Sequence, residues 1–170
     1  MSLTPQQLKS HLWDAANTLR GSAVDRTDWK GYILPLLFFK RISDVWDEET
    51  SDAAETFGDV DPSAFPELHR FSVPDGCHWR DVRETSTNVG AALLRAMQEI
   101  ERANPDTLYR VFGTADWGNR EKFTDELLKD LIEGFSAISL GNTAVSTDVL
   151  GDAYEYLVGK FADVTRRNKA

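Results

Sequence analysis

The chain has 170 residues, 41% hydrophobic and 28% charged, a balance typical of one globular domain with a single core. Its formal net charge of −9 means that the average surface repels phosphate, which excludes a protein that coats itself in nucleic acid and requires any DNA contact to be local. The single cysteine, Cys77, excludes an internal disulfide and a multi-cysteine zinc site, and the polar N-terminus lacks the apolar core of a signal peptide, so we expect a cytoplasmic protein.

The first predicted helix begins at Thr4. The threonine hydroxyl can cap a free backbone N–H, Pro5 suits the first helical position, and Gln7 can reach back to complete a capping box. Gly21 can end the helix, because glycine readily adopts the left-handed conformation that closes a helix. Apolar residues recur every three or four positions, which predicts an amphipathic helix facing a core. They are Leu8, Leu12, Ala15, Ala16 and Leu19.

A second and more apolar helix is predicted from about Asp28 to Asp47. Its apolar positions leave almost no polar side, which is typical of a helix in the middle of a domain. These positions are Trp29, Tyr32, Ile33, Leu36, Leu37, Phe38, Phe39, Ile42, Val45 and Trp46. Pro35 removes one backbone hydrogen bond and clashes with the carbonyl of Gly31, so we expect a kink or a late start of the helix there.

Residues 48–87 are acidic, include glycines and prolines, and contain no long periodic run. A Pro-Asp-Gly turn at 74–76 separates two short apolar runs at 71–73 and 77–79, a pattern that can form a β-hairpin. The segment is therefore predicted as a small insertion, either irregular or a β-hairpin.

Helical periodicity returns over 89–103 and is stopped by an Asn-Pro pair, because the residue before proline avoids the helical conformation. Two more amphipathic helices are predicted over 123–141 and from Ser146 or Thr147 onward. The chain as a whole is therefore predicted to be all-α: a helical bundle of about five main helices with the insertion around 48–87.

No catalytic motif is apparent in the sequence. No two glycines are spaced as G-x-G, the phosphate-binding loop of nucleotide hydrolases is missing, and the only Asn-Pro pair, Asn104-Pro105, is followed by aspartate. Cys77 and His78 are adjacent, whereas a catalytic cysteine and histidine come from distant positions, which disfavours a thiol hydrolase. The three histidines are scattered without ligand spacing, so no metal site is predicted.

Three basic clusters could contact DNA phosphate. The candidates are Lys40, Arg41, Arg80, Arg83, Arg166, Arg167 and Lys169. Each cluster also has a structural interpretation. The first closes an apolar helix and can pair with Asp44 or Asp47 at helical spacing. The second is flanked by Asp81 and Glu84, which weakens it as an anion site, and the third can be a linker.

Five segments of the chain occur in an order typical of one family. They read LWDAANTLRG at 12–21, YILPLLFFKRISD at 32–44, WRDVR at 79–83, AMQEIERANP at 96–105 and DVLGDAYEYLVGKFA at 148–162. Together they resemble the N-terminal helical domain of the modification subunit of type I restriction-modification systems. In that family the modification subunit is an N6-adenine DNA methyltransferase. The resemblance covers about the whole chain, and five blocks in one order are more specific than any one of them.

The resemblance implies a domain at 1–163 that helps two modification subunits close around DNA, and a polar basic tail at 164–170 that leads toward a catalytic domain. The implied partners are the specificity subunit, a second modification subunit, the restriction subunit and double-stranded DNA, with no membrane. S-adenosylmethionine is implied for the full-length parent; for this chain we expect no cofactor, metal or catalytic residue. The alternative is a stand-alone helical adaptor, which would bind a protein partner with or without DNA.

Overall fold

The structure, a computed structural model, describes residues 3–58 and 68–169, the last six of them by their backbone alone. All regular elements within this part of the chain are helical, and none of its residues forms a β-strand. The prediction of an all-α bundle is thus confirmed. In chain order the α-helices are α1 (Pro5–Asn17), α2 (Lys30–Phe57), α3 (Trp79–Arg83), α4 (Val89–Ala103), α5 (Asp125–Ser136) and α6 (Thr147–Lys169), with a 3-10 turn at Arg26–Asp28 before α2.

Helix α1 begins as the sequence predicts. The Thr4 hydroxyl accepts a hydrogen bond from the backbone N–H of Gln7 at 3.1 Å, and the Gln7 side chain accepts one from the backbone N–H of Thr4 at 3.0 Å. This capping box satisfies two backbone donors that the first helical turn leaves free. The helix ends at Asn17, and Gly21 follows with a φ of 82°, in the left-handed region. α1 packs against α5 and α6.

Helix α2 forms the centre of the bundle. It has 28 residues, so it is about 42 Å long. The predicted end near Asp47 was wrong, because the helix continues to Phe57. Residues 48–57 contain no glycine or proline, and the first helix breaker is Gly58, whose φ is 81°. The last turns of α2 are mostly exposed, so this acidic segment is a solvated helix end rather than an irregular loop.

Pro35 lies in the second turn of α2. Of the two expectations, the late start was wrong, because the helix begins at Lys30, and the kink stays a prediction. Proline at this position leaves the carbonyl of Gly31 without its usual helical donor, and Gly31 is exposed to solvent. The proline ring itself is buried. The loss of one hydrogen bond near the beginning of the helix is therefore accommodated without a break.

Between α2 and α3, the described residues 68–78 are irregular and form no hairpin. The Pro-Asp-Gly turn at 74–76 forms, closed by a hydrogen bond of 3.0 Å from the N–H of Cys77 to the proline carbonyl. The residues before it do not pair as a strand, since the backbone N–H and carbonyl of Ser72 bond to the side chain of Asn104 at 2.9 and 2.8 Å. Part of the predicted insertion, 59–67, lies outside the described residues.

One hydrophobic core runs through the described residues. Its largest side chains with almost no exposure are Trp29, Trp117, Phe39, Phe123 and Phe135. α6 packs on α1 and begins at Thr147, one of the two predicted positions. Its backbone continues to Lys169, so residues 164–169 of the polar tail predicted at 164–170 extend the last helix. None of the described helices combines the length and apolar character needed to cross a membrane.

Candidate nucleic-acid interface

The first predicted phosphate-contact cluster, Lys40 with Arg41, is buried. Lys40 is 5% exposed, and its ammonium group donates a hydrogen bond of 2.7 Å to the carbonyl of Ile138 and forms an ion pair with Asp44. Asp44 also accepts a hydrogen bond of 2.8 Å from the backbone N–H of Leu140. Lys40 therefore joins α2 to the segment after α5 and is not available to a DNA phosphate, because its charge is already neutralised inside the protein.

Arg41 extends the same connection to the segment before α6. Its Nη1 donates to the carbonyls of Leu140 at 2.6 Å and Val145 at 3.1 Å, and its Nη2 donates to the side chain of Asn142. Burial lowers the pKa of the Arg41 guanidinium, and the carboxylate of Glu48 opposes that change. A buried arginine is tolerated when its donors are satisfied in this way. The predicted phosphate contact at Arg41 is thus replaced by a structural role.

Helix α3 carries the second predicted cluster and is anchored to α2 through its first residues. His78 caps the helix, since its ring Nδ1 accepts a hydrogen bond of 2.9 Å from the backbone N–H of Arg80. The other ring nitrogen lies 2.9 Å from Oδ1 of Asp47. The backbone N–H of Trp79 donates to the hydroxyl of Ser43 at 3.0 Å. These contacts fix α3 against α2, and they account for the burial of His78.

Arg80 and Arg83 border a groove of about 570 Å³ between α2, α3 and α5, which we name the α2–α3 groove. Arg83 donates two hydrogen bonds, of 2.8 and 2.9 Å, to the carboxylate of Glu133. This pairing raises the pKa of Arg83 and lowers that of Glu133. Arg80 is exposed and forms no ion pair within the described residues. The carboxylates that line the groove are Asp44, Asp47, Glu84 and Glu133. Arg80 is therefore a free cation in surroundings that are largely negative.

The third predicted cluster consists of Arg166, Arg167 and Lys169, near the end of α6. Their side chains lie outside the described residues, although the helix backbone there is described. Phosphate contact by these three residues therefore stays a prediction.

The adjacent pair Cys77 and His78 does not form a nucleophilic site. Cys77 is 1% exposed, and its Sγ lies 3.8 Å from the carbonyl oxygen of Asp75. Burial raises the pKa of the Cys77 thiol, which disfavours the reactive thiolate. Both nitrogens of His78 contact α2 or α3 instead. No group of three or more potential metal ligands converges in the described part of the chain.

A second groove brings together residues that the sequence did not single out. It lies between the start of α2, the segment before α5, and α6, has a volume of about 520 Å³, and is named here the α2–α6 groove. Lys30, Arg110 and Lys122 line it together with a single carboxylate, that of Asp28. None of these three cations has a basic neighbour next to it in the sequence, so no local pattern could have predicted the cluster.

Comparisons with known proteins agree with one another. The family model described as the HsdM N-terminal domain matches residues 8–135. The type I restriction enzyme MjaIX methylase subunit of Methanocaldococcus jannaschii is 25% identical over 185 residues, covering 95% of this chain and 32% of that protein. The crystal structure of a type I restriction-modification methyltransferase subunit from Streptococcus thermophilus superposes with a TM-score of 0.65 at 20% identity.

That superposition covers 94% of this chain and 39% of the Streptococcus thermophilus chain. At 20% identity, the likeness establishes a shared helical fold. The chain thus spans only about a third of the length of the proteins that it matches.

Proposed function

The chain belongs to the family of HsdM N-terminal domains, and on that premise we propose that it is the assembly and DNA-clamping segment of a type I restriction-modification DNA adenine (N6) methyltransferase subunit. In this role it contributes contacts to the other subunits and non-specific contacts to the DNA backbone. The observation that carries the proposal is the family match over residues 8–135, which includes α2 to α4 and most of α1 and α5.

Methyl transfer itself is proposed for the remainder of a longer parent protein. The matched relatives extend well beyond this chain, which covers 32% of one and 39% of the other. S-adenosylmethionine would supply the methyl group there. The described residues are helical and provide no glycine-rich turn after a strand, so they do not fit that cofactor, and no step of the transfer is derived from them.

The proposed partners are the specificity subunit, a second modification subunit, the restriction subunit and double-stranded DNA. A helical bundle with one continuous core suits a docking segment, because its surface can vary while the core keeps the helices in place. Phosphate contacts would come from exposed cations such as Arg80 and would carry no sequence information. Lys40 and Arg41 would not contact DNA themselves; they would hold α2 against the segment between α5 and α6.

The mass and the partners of the native gene product test the proposal. An antibody raised against this chain should detect a band well above 19.1 kDa in the source cell. The same antibody should also recover a specificity subunit, identified by peptide mass spectrometry, from a cell extract. A band at 19.1 kDa without any specificity subunit would contradict the proposal and favour the stand-alone adaptor.

A further inference from the structure

The α2–α6 groove differs from the rest of this acidic chain in its charge. Lys30, Arg110 and Lys122 line it, and Asp28 is its one lining carboxylate. By contrast, the carboxylates that line the α2–α3 groove outnumber its lysines and arginines. In a chain with a net charge of −9, three converging cations make this groove the more attractive of the two for an anion.

Two of the three cations are free of carboxylates. Lys30 and Arg110 form no ion pair within the described residues. Lys122 differs, because its ammonium lies 3.4 Å from both the Tyr32 hydroxyl and Oδ2 of Asp116. Lys30 and Arg110 can therefore each bind an external anion without first breaking an ion pair, whereas Lys122 adds charge from a fixed position.

The backbone holds Arg110 in a conformation that is unfavourable for a residue with a side chain. Its φ is 58°, in the left-handed region that arginine seldom occupies. Buried residues anchor this segment on both sides, since Leu108 is 6% exposed and Phe112 is 4% exposed. The N–H of Gly113 closes the turn on the carbonyl of Arg110 at 3.1 Å. Such local strain is found preferentially at functional sites.

Aromatic rings accompany the cations. The guanidinium of Arg110 lies 5.2 Å from the ring centroid of Tyr109, whose side chain is 67% exposed. Inside the groove, the rings of Phe38 from α2 and Tyr154 from α6 lie 5.8 Å apart. Arginine, lysine and tyrosine side chains are among those that hydrogen-bond the phosphates of a DNA backbone, so this combination suits a chain of phosphates.

From these observations we infer that the α2–α6 groove binds the phosphodiester backbone of DNA, with Lys30 and Arg110 as the phosphate contacts. The inference rests on the proposed function and deepens it by naming the surface that meets DNA. Lys30 and Arg110 thereby take the place of the predicted phosphate contacts Lys40 and Arg41, which are buried.

The test is a titration of the full 170-residue chain against a fluorescently labelled DNA duplex of mixed sequence, read by anisotropy at about 50 mM and about 200 mM salt. The groove variant carries Lys30→Gln with Arg110→Gln. Its matched control carries Arg20→Gln with Arg95→Gln. Both arginines are exposed; Arg20 follows α1 and Arg95 lies on α4. Lys122 is left unchanged because it contacts Tyr32. Circular dichroism and thermal unfolding establish that both variants are folded.

Each lost phosphate contact reduces the salt dependence of binding by about one unit of the logarithmic slope. The groove variant should therefore lose about two units of slope, so its affinity deficit relative to the wild type should be about tenfold larger at the lower salt concentration than at the higher one. The control should stay within about twofold of the wild type, since it removes the same two positive charges at positions outside the groove.

Four results would overturn the inference. Equal binding by the wild type and the groove variant would exclude the groove and leave the proposed function intact. Equal losses in the groove variant and the control would indicate a general charge effect. Displacement of DNA by poly-glutamate as readily as by unlabelled duplex would assign the groove to an acidic protein segment. No binding by the wild type would remove DNA clamping from the proposed function, and the inference with it.

Discussion

Replacing Gly90 by alanine probes a close approach of two backbone segments. Gly90 lies in the first turn of α4, and a Cβ placed there would be 2.0 Å from the carbonyl oxygen of Trp117 and 3.3 Å from Cδ1 of Leu128. Carbon and oxygen atoms in ordinary contact are about 3.3 Å apart. α4 and the segment around Trp117 would therefore have to separate by about 1.3 Å, the difference between the two carbon–oxygen distances.

Overpacking of this kind lowers the free energy of unfolding by about 1–3 kcal/mol. The upper part of that range applies to Gly90, because the obstacle is a backbone carbonyl that cannot rotate away as a side chain can. Alanine returns up to about 1 kcal/mol through its higher helix propensity. A net loss of about 2 kcal/mol follows, which lowers the Tm of a chain of this size by about 4–8 °C.

The matched control is Gly159→Ala in α6. Gly159 is exposed, and a Cβ built there meets no atom within 4 Å, so alanine should raise the free energy of unfolding by about 0.5 kcal/mol. Urea unfolding followed by circular dichroism measures both changes against the wild type. If Gly90→Ala stabilised the chain as Gly159→Ala does, the close contact between α4 and the carbonyl of Trp117 would be refuted.

Arg41→Met should lower the free energy of unfolding by about 3 kcal/mol, because buried carbonyls lose their donor. The exposed substitution Arg80→Met should cost less than about 0.5 kcal/mol, and equal costs in urea unfolding would contradict the buried role of Arg41. The Tyr32 hydroxyl donates to Asp116 at 2.7 Å and lowers the pKa of that carboxyl below 3.8. A lowered folded-state pKa stabilises the fold above the unfolded value, and this contribution is lost as pH falls through the folded value. The wild type should therefore lose more stability than Tyr32→Phe between about pH 5 and about pH 2, and parallel losses would exclude the bond.

The sequence predicts best those features that depend on neighbouring residues. The capping box at Thr4, the end of α4 before Asn104 and the start of α6 at Thr147 each rest on side chains within one helical turn. The predicted end of α2 is ten residues too early, because an acidic composition does not by itself make a segment irregular. Glutamate and alanine favour helices, and only Gly58 supplies a conformation that ends one.

The features that could not be predicted from the sequence depend on contacts between distant parts of the chain. The spacing of Lys40 and Asp44 correctly predicted an ion pair, but the carbonyl that completes the site belongs to Ile138, 98 positions further along the chain. The cations of the α2–α6 groove likewise come from separate elements. Residues brought together only by folding leave no periodic signal in the sequence. A search for neighbouring basic residues therefore finds the buried pair Lys40 and Arg41 and misses the cations of the α2–α6 groove.

Weak binding to DNA is compatible with a clamp. A chain with a net charge of −9 repels DNA over most of its surface, so contacts at one groove should give a non-specific Kd of only about 10⁻⁴ M. When a partner subunit already holds the DNA, a tethered segment meets it at an effective concentration of about 1 mM. The bound state would then outweigh the free state by about ten to one. Under the proposed function, such a segment would bind DNA only when its partner delivers it, which a strongly basic surface could not achieve.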